Sequence, residues 1–181
     1  MTRADVAVAV VVASVVLAGC GGQEDEPRPM PRPGGAVADK PARSGEAPTK
    51  PEFVREADAL CAEVKRRVAP LSEAVAAKVA DEDAAGVAAE LRKALPIAGE
   101  FLDRMRALTP PRGDEAIVGE YLDIVEEQKG RIPPLVEALE AEDISTIEVL
   151  AAELRQGNQR ARRLTDRYGL TKCGPDGLPT G

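Results

Sequence analysis

The sequence predicts an all-α domain, an up-and-down antiparallel four-helix bundle with proline-kinked helices, preceded by a signal peptide and a disordered linker. Three observations predict it. Apolar residues recur at spacings of three and four between residues 52 and 168. Turn and cap residues interrupt that period three times, at connections too short to lead anywhere but to an antiparallel neighbour. The 30 residues at 21–50 hold six prolines and almost nothing large and apolar.

The chain begins with an apolar run at 6–18, 13 residues that are all Val, Ala or Leu except Ser14. A membrane-spanning helix needs about 20, so the run has the length of a signal-peptide core. It ends at Leu17-Ala18-Gly19-Cys20, a small-small-cysteine pattern that a lipoprotein signal peptidase cuts. Arg3, opposed by Asp5, is the only basic residue before the run. Residues 1–19 are therefore expected to be a lipoprotein signal peptide, with Cys20 lipidated as the first mature residue. Two acyl chains give stable anchoring where one is marginal. The predicted location is extracytoplasmic, anchored by lipid to the outer face of the bacterial cell membrane.

Residues 20–51 are expected to be the lipidated cysteine and a flexible tether. The segment 21–50 balances five acidic against five basic side chains and cannot bury enough surface to fold. Its reach lies between ~30 Å as a random coil and ~90 Å as extended polyproline II.

The helical domain is predicted over 52–174, with helices at about 52–79, 83–108, 114–141 and 143–168 and a flexible tail at 175–181. In the first helix Phe53, Ala57, Leu60, Val64, Val68, Leu71 and Val75 form the inward stripe, with Pro51 tolerated at its start. Asp81-Glu82-Asp83 supplies a cap and an acidic turn to the second, whose stripe is Val87, Leu91, Leu95, Ala98, Leu102, Met105 and Leu108. After Pro110-Pro111-Arg112-Gly113, Asp114 is expected to cap the third, with Ile117, Tyr121, Ile124, Gln128, Ile132, Leu135 and Leu139 inward. Glu142-Asp143 breaks the chain once more. Ile147, Leu150, Leu154, Ala161, Leu164 and Tyr168 then mark the fourth helix, closed by Gly169.

Pro70, Pro96 and Pro133-Pro134 fall inside these stripes, where proline removes a backbone bond and bends a helix. Counted in rises along alternating helix directions, Pro96, Gln128 and Gly157-Asn158 share the middle of the bundle, with Pro70 and Pro133 about one turn higher. The prediction is a polar layer at Gln128 and Asn158. It either fixes helix register, as buried asparagines do in coiled coils, or lines a small pocket that makes these two residues a candidate ligand layer.

Three cysteines are present, Cys20, Cys61 and Cys173. Assigning the first to lipid leaves a pair that, outside the cytoplasm, is expected to form a disulfide. Cys61 lies ~14 Å above the foot of the first helix, and the residues after Tyr168 can turn and climb to it.

Several chemistries are excluded. There is no histidine, which removes Ser-His-Asp, Cys-His and His-metal sites together. Aromatic residues make up 2% of the chain, with no tryptophan, and the net charge is -7, so base stacking and polyanionic nucleic acid are disfavoured. No catalytic residue, metal or cofactor is expected.

The run Ala57-Asp58-Ala59-Leu60-Cys61, the connection Leu108-Thr109-Pro110-Pro111 and the ending Tyr168-Gly169-Leu170-Thr171-Lys172-Cys173-Gly174 resemble small uncharacterised lipoproteins of high-GC Gram-positive, actinobacterial-type bacteria. That resemblance covers nearly the whole mature domain. It implies a lipoprotein address and paired cysteines, and no activity.

Other patterns have plainer explanations. Arg112-Gly113-Asp114 spells an adhesion tripeptide, but a glycine turn and an aspartate cap account for it. Asp81-x-Asp83 opens like a calcium loop and fails at Ala85 and Arg92, where oxygen ligands belong. Glu120, Asp123, Glu126 and Glu127 lack the histidines of a di-metal bundle and read as a solvated face. Residues 114–142 carry nine acids against two bases, a net of -7, and 143–172 carry four acids against six bases, a net of +2. The arginines of the fourth helix therefore face either the acidic third helix or an outside partner.

These readings converge on a non-enzymatic binding or interaction module of the cell envelope, monomeric and held to the membrane through Cys20. Its expected partner is an envelope protein or an anionic wall polymer. The alternatives are a structural spacer without a ligand, or an envelope enzyme using carboxylates.

Overall fold

A computed structural model describes residues 47–174, so the expected signal peptide, Cys20, nearly all of the expected tether and the expected tail at 175–181 lie outside the described residues. Those described form four α-helices, with no strand among them: α1 Lys50–Ala80, α2 Ala84–Ala107, α3 Glu115–Glu140 and α4 Ile144–Tyr168. The domain is a helical bundle. Pro70, Pro96, Pro133 and Pro134 all lie inside helices.

Local signals set the ends. Glu52 reaches back to accept the backbone N–H and the hydroxyl of Thr49 at 2.8 and 2.7 Å, one half of a capping box. These bonds hold the Glu52 carboxyl below its ordinary range. They also start α1 at Lys50, two residues before the predicted limit, which puts the last two residues of the expected tether inside the helix. Asp83 caps α2 by accepting from Gly86 N at 2.7 Å. Asp143 caps α4 by accepting from Thr146 N at 3.2 Å and the Thr146 hydroxyl at 2.6 Å. The turns before these two helices are built alike. Glu82 and Glu142 adopt left-handed backbone at φ 55° and 53°, and Asp83 N and Asp143 N return to Lys78 O and Ala138 O, each at 2.9 Å.

Asp114 departs from expectation. It occupies the N-cap position of α3 but makes no side-chain cap bond; its carboxylate accepts the Tyr168 hydroxyl at 2.8 Å instead. Gly113, at φ 89°, makes the turn, and Glu115 takes its N–H at 2.8 Å.

Packing follows chain order, α1 on α2, α2 on α3 and α3 on α4. Partner numbers fall on one helix as they rise on the next: Glu63 with Arg104 and Arg67 with Glu100, then Arg92 with Glu140 and Arg106 with Glu126. Arg131 with Glu153 and Arg160 with Glu127 extend the pattern to α3 and α4. By contrast α1 and α4 share no comparable helix interface. They are joined at the lower end, where α1 begins and α4 finishes, by a strap of residues 170–173.

The buried side chains fall into two clusters. The lower joins Phe53, Ala57, Cys61, Val64 and Val68 of α1 to Phe101, Leu102 and Met105, to Val118, Tyr121, Ile124 and Val125, and to Ala161, Leu164, Tyr168, Leu170 and Cys173. The upper holds Val75, Val87, Ala88, Leu135, Val136, Ala138, Leu139, Ile147 and Leu154. Of the predicted inward positions, Leu60, Leu71, Leu91, Leu95, Ala98, Leu108, Ile117, Gln128, Ile132 and Leu150 are half-buried rather than buried. Cys61, Phe101 and Thr165, which the predicted stripes omit, are fully enclosed.

Candidate functional site

The strap is tied to α1 by hydrogen bonds and a disulfide. Gly169, at φ 96°, ends α4 in the left-handed conformation that a side chain would resist. Gly169 N and Leu170 N both return to Thr165 O, at 2.8 and 3.0 Å. The chain then climbs α1. Asp58 accepts Thr171 N at 3.1 Å, the Thr171 hydroxyl at 2.7 Å and Lys172 N at 2.8 Å, and Cys173 closes the disulfide to Cys61 with the two Cα atoms 5.1 Å apart. Leu170 plugs the base of the core beside Tyr168. Phe53 meets the Tyr168 ring edge-on at 6.1 Å, and Lys50 Nζ lies 4.2 Å from the centroid of that ring.

Both tyrosines are kept neutral here. Burial pushes the Tyr121 hydroxyl far above its ordinary range, with a smaller push from the Asp58 charge. Tyr168 is raised by burial first and then by its bond to the Asp114 carboxylate. Neither has the lowered pKa of a group poised to give up its proton.

The predicted polar layer lies at the junction of the two cores. On each helix the apolar side chains of the two clusters jump across it: Val68 to Val75 over Pro70, Ala88 to Phe101 over Pro96, Val125 to Leu135 over Gln128 and the two prolines, and Leu154 to Ala161 over Gly157-Asn158. The structure brings Gln128 and Asn158 together. Gln128 Nε2 donates to Asn158 Oδ1 at 2.6 Å and to Leu154 O at 2.8 Å. Gly157 allows this approach, because a Cβ there would sit 2.5 Å from Gln128 Cδ and 2.9 Å from Nε2. Gln128 Oε1 is buried without a donor. Four carbonyls nearby, those of Arg66, Arg92, Lys129 and Gly130, lose their helical donors to the prolines four residues on.

Two cavities lie elsewhere, at the lower end. One is an open cleft of about 410 Å³ lined by residues 47–50 with Pro111, Arg112 and Asp114. The other, about 10 Å³, sits among Phe53, Met105, Val118, Tyr121, Leu164 and Leu170; a space so small and apolar stays dry.

Charge supplies a feature that residue totals did not reveal. Every Lys and Arg of α2 and α3 has a carboxylate partner. Ion pairs hold Glu63, Glu126 and Glu140, and with Arg160 of α4 also Glu127, below the ordinary carboxylate range, in each case first through a hydrogen bond from an arginine. Of the five arginines of α4, Arg160 alone reaches α3. Arg162 lies 3.9 Å from Asp166 of its own helix, and Arg155, Arg163 and Arg167 have no carboxylate partner among the described residues. The same holds for Arg55, Lys65 and Arg66 on α1 and for Lys172 on the strap. Helix periodicity gives the face of each residue, whereas the idle faces become visible only once the neighbours are known.

Among the described residues, no group of three or more Cys, Asp or Glu is placed to hold a metal ion, and no helix is long and apolar enough to cross a membrane. Compared with family models, curated proteins and solved structures, the chain matches none of them.

Proposed function

We propose that this protein is a lipid-anchored, extracytoplasmic and non-enzymatic binding module of the bacterial envelope. The observation behind this reading is the Cys61–Cys173 disulfide. A buried bridge of this kind belongs to an oxidising compartment, and it leaves Cys20 as the one unassigned cysteine, at the end of the apolar run 6–18. The bundle is then an up-and-down one whose helices bend at their prolines, monomeric and held off the membrane by the tether. Its Gln128–Asn158 layer serves as a register pin between two cores. Against catalysis stand the histidine-free composition and the two buried, neutral tyrosines. Against a bare spacer stands the run of idle cations on α1, α4 and the strap.

Membrane fractionation tests the anchor. Intact protein is expected in the membrane fraction with the mass of a chain cut before Cys20 and acylated, and Cys20→Ser is expected unprocessed or released. A Cys20→Ser protein of normal mature mass still in the membrane fraction contradicts the reading.

A further inference from the structure

We infer that the side of the bundle formed by α1, the strap and α4 is a docking surface for a linear polyanion of linked phosphates. The inference deepens the binding-module reading by naming the class of partner, and it rests on that reading for its compartment only.

The position of the cations carries it. Asp58 and the buried Thr165 mark the lines along which α1 and α4 meet the strap: Asp58 takes two strap N–H groups, and Thr165 Oγ1 lies 3.7 Å from where a Cβ on Gly174 would stand. Lys65 is seven residues above Asp58, two turns up on the same line. Arg162 is one turn above Thr165, and Arg155 is two turns above Arg162. Arg66 and Arg163 flank the pair on the outer faces, and Lys172 stands on the strap below. These six side chains border the one pair of neighbouring helices that lacks a close-packed seam, over ~15 Å of its length at 1.5 Å per residue. Four are arginines, whose planar forks suit phosphate oxygens. Among the described residues none has a partner on another helix and only Arg162 has one on its own, Asp166 at 3.9 Å, whereas every cation of α2 and α3 is paired, all but Lys93 and Lys129 across helices. An anion arriving on this side displaces little more than water and counterions.

The occupant follows from what accompanies the charges. Val149 is the only large hydrophobic residue exposed among the described residues, so this side has no apolar wedge with which to enter a lipid surface. All four aromatic residues are buried, which leaves no platform for stacked bases. Cations on both sides of the line between α1 and α4 fit a strand lying lengthwise. A linear phosphate polymer without bases satisfies each condition.

The test uses the full chain in non-ionic detergent with long-chain inorganic polyphosphate as probe, titrated at several salt concentrations. Binding is expected, weakening steeply with salt. The variant Arg66→Ser, Arg155→Ser, Arg162→Ser, Arg163→Ser is expected to lose more than about tenfold in affinity at low salt, and to reduce the slope of log K against log salt by about three for four lost phosphate contacts. Arg92→Ser with Arg106→Ser, which removes paired cations from α2, is expected to change affinity less than about twofold. Retention of the parent's melting transition shows that the quadruple variant is folded. No binding of polyphosphate by the parent, equal losses in both variants, or binding to phosphatidylglycerol vesicles or polyglutamate in preference to polyphosphate would each overturn the inference. The anchor stands or falls separately, on the fractionation of Cys20→Ser.

Discussion

Below the Gln128 layer the core holds Phe53, Phe101, Tyr121 and Tyr168, every aromatic residue of the chain, whereas above it the buried side chains are Val, Leu, Ile and Ala alone. The lower half is also where the covalent and polar ties lie: the disulfide, the three bonds to Asp58 and the Tyr168–Asp114 bond. The upper half is closed by two short acidic turns with Glu82 and Glu142 in left-handed backbone. A fixed floor under a less constrained storey follows. Aromatic side chains bury large areas with directional packing, and a crosslink removes freedom from every opened state that must still contain it. The difference teaches how a chain with few aromatics makes one end firm: it spends all of them beside its disulfide.

The largest way to break this contrast is to cut the bridge. Cys61→Ser with Cys173→Ser is expected to cost ~4 to 5 kcal/mol in the chain-entropy model, for a loop of about a hundred residues. Thermal melting of the variant beside the parent reads this directly. A change within a degree contradicts the role given to the strap.

Alkali is expected to attack the same half. The two tyrosines have raised pKa values in the folded protein. Their contribution is therefore fully present below the ordinary tyrosine pKa of about 10 and is lost as pH rises through and beyond it. Ultraviolet titration of phenolate should show little ionisation at pH 10 and then a cooperative rise coincident with loss of helix. Two tyrosines that titrate independently at about pH 10 in folded protein would show that they are not enclosed.

A smaller effect probes the layer between the halves. In Gly157→Ala the new methyl displaces the Gln128 amide and leaves polar atoms unpaired, an expected net loss of ~1 to 2 kcal/mol after the helix-propensity gain. Adding Gln128→Ala makes room for the methyl, so the double variant is expected to be less destabilised than the two single losses added together. Strict additivity in denaturant melts would separate the two side chains energetically.

The sequence makes the four helices legible because their periodicity and their Asp83 and Asp143 caps are local. The other features depend on contacts from afar. Asp114 looks like a cap by position, but a tyrosine 54 residues away claims its carboxylate. Phe101 stands one residue before Leu102, and a spacing of three or four admits either; both are buried. Thr49 and Glu52 do spell a capping box, a local signal overshadowed by Pro51 between them. Net charge per helix suggests α4 answering α3, yet only Arg160 and Glu153 take part, since charge totals say nothing about which face meets which neighbour.

The smallest expected effect concerns the upper turns. Glu82→Gly and Glu142→Gly each relieve a left-handed non-glycine residue, worth ~0.5 kcal/mol after the greater freedom of glycine in the unfolded chain. Small rises in melting temperature are expected from both, and a fall from either would show that the glutamate side chain stabilises its turn.

Native-state hydrogen exchange of the oxidised protein tests the contrast most directly, because it reads the opening free energy of each half separately. Amides around Phe101, Tyr121 and Leu164 are expected to exchange only through global unfolding. Those around Val87, Val136 and Ile147 are expected to exchange earlier, through an opening of the upper half alone, and reduction of the disulfide should narrow the gap. Equal protection in both halves, or earlier exchange in the lower half with the disulfide intact, would contradict the picture of a fixed floor under a less constrained storey.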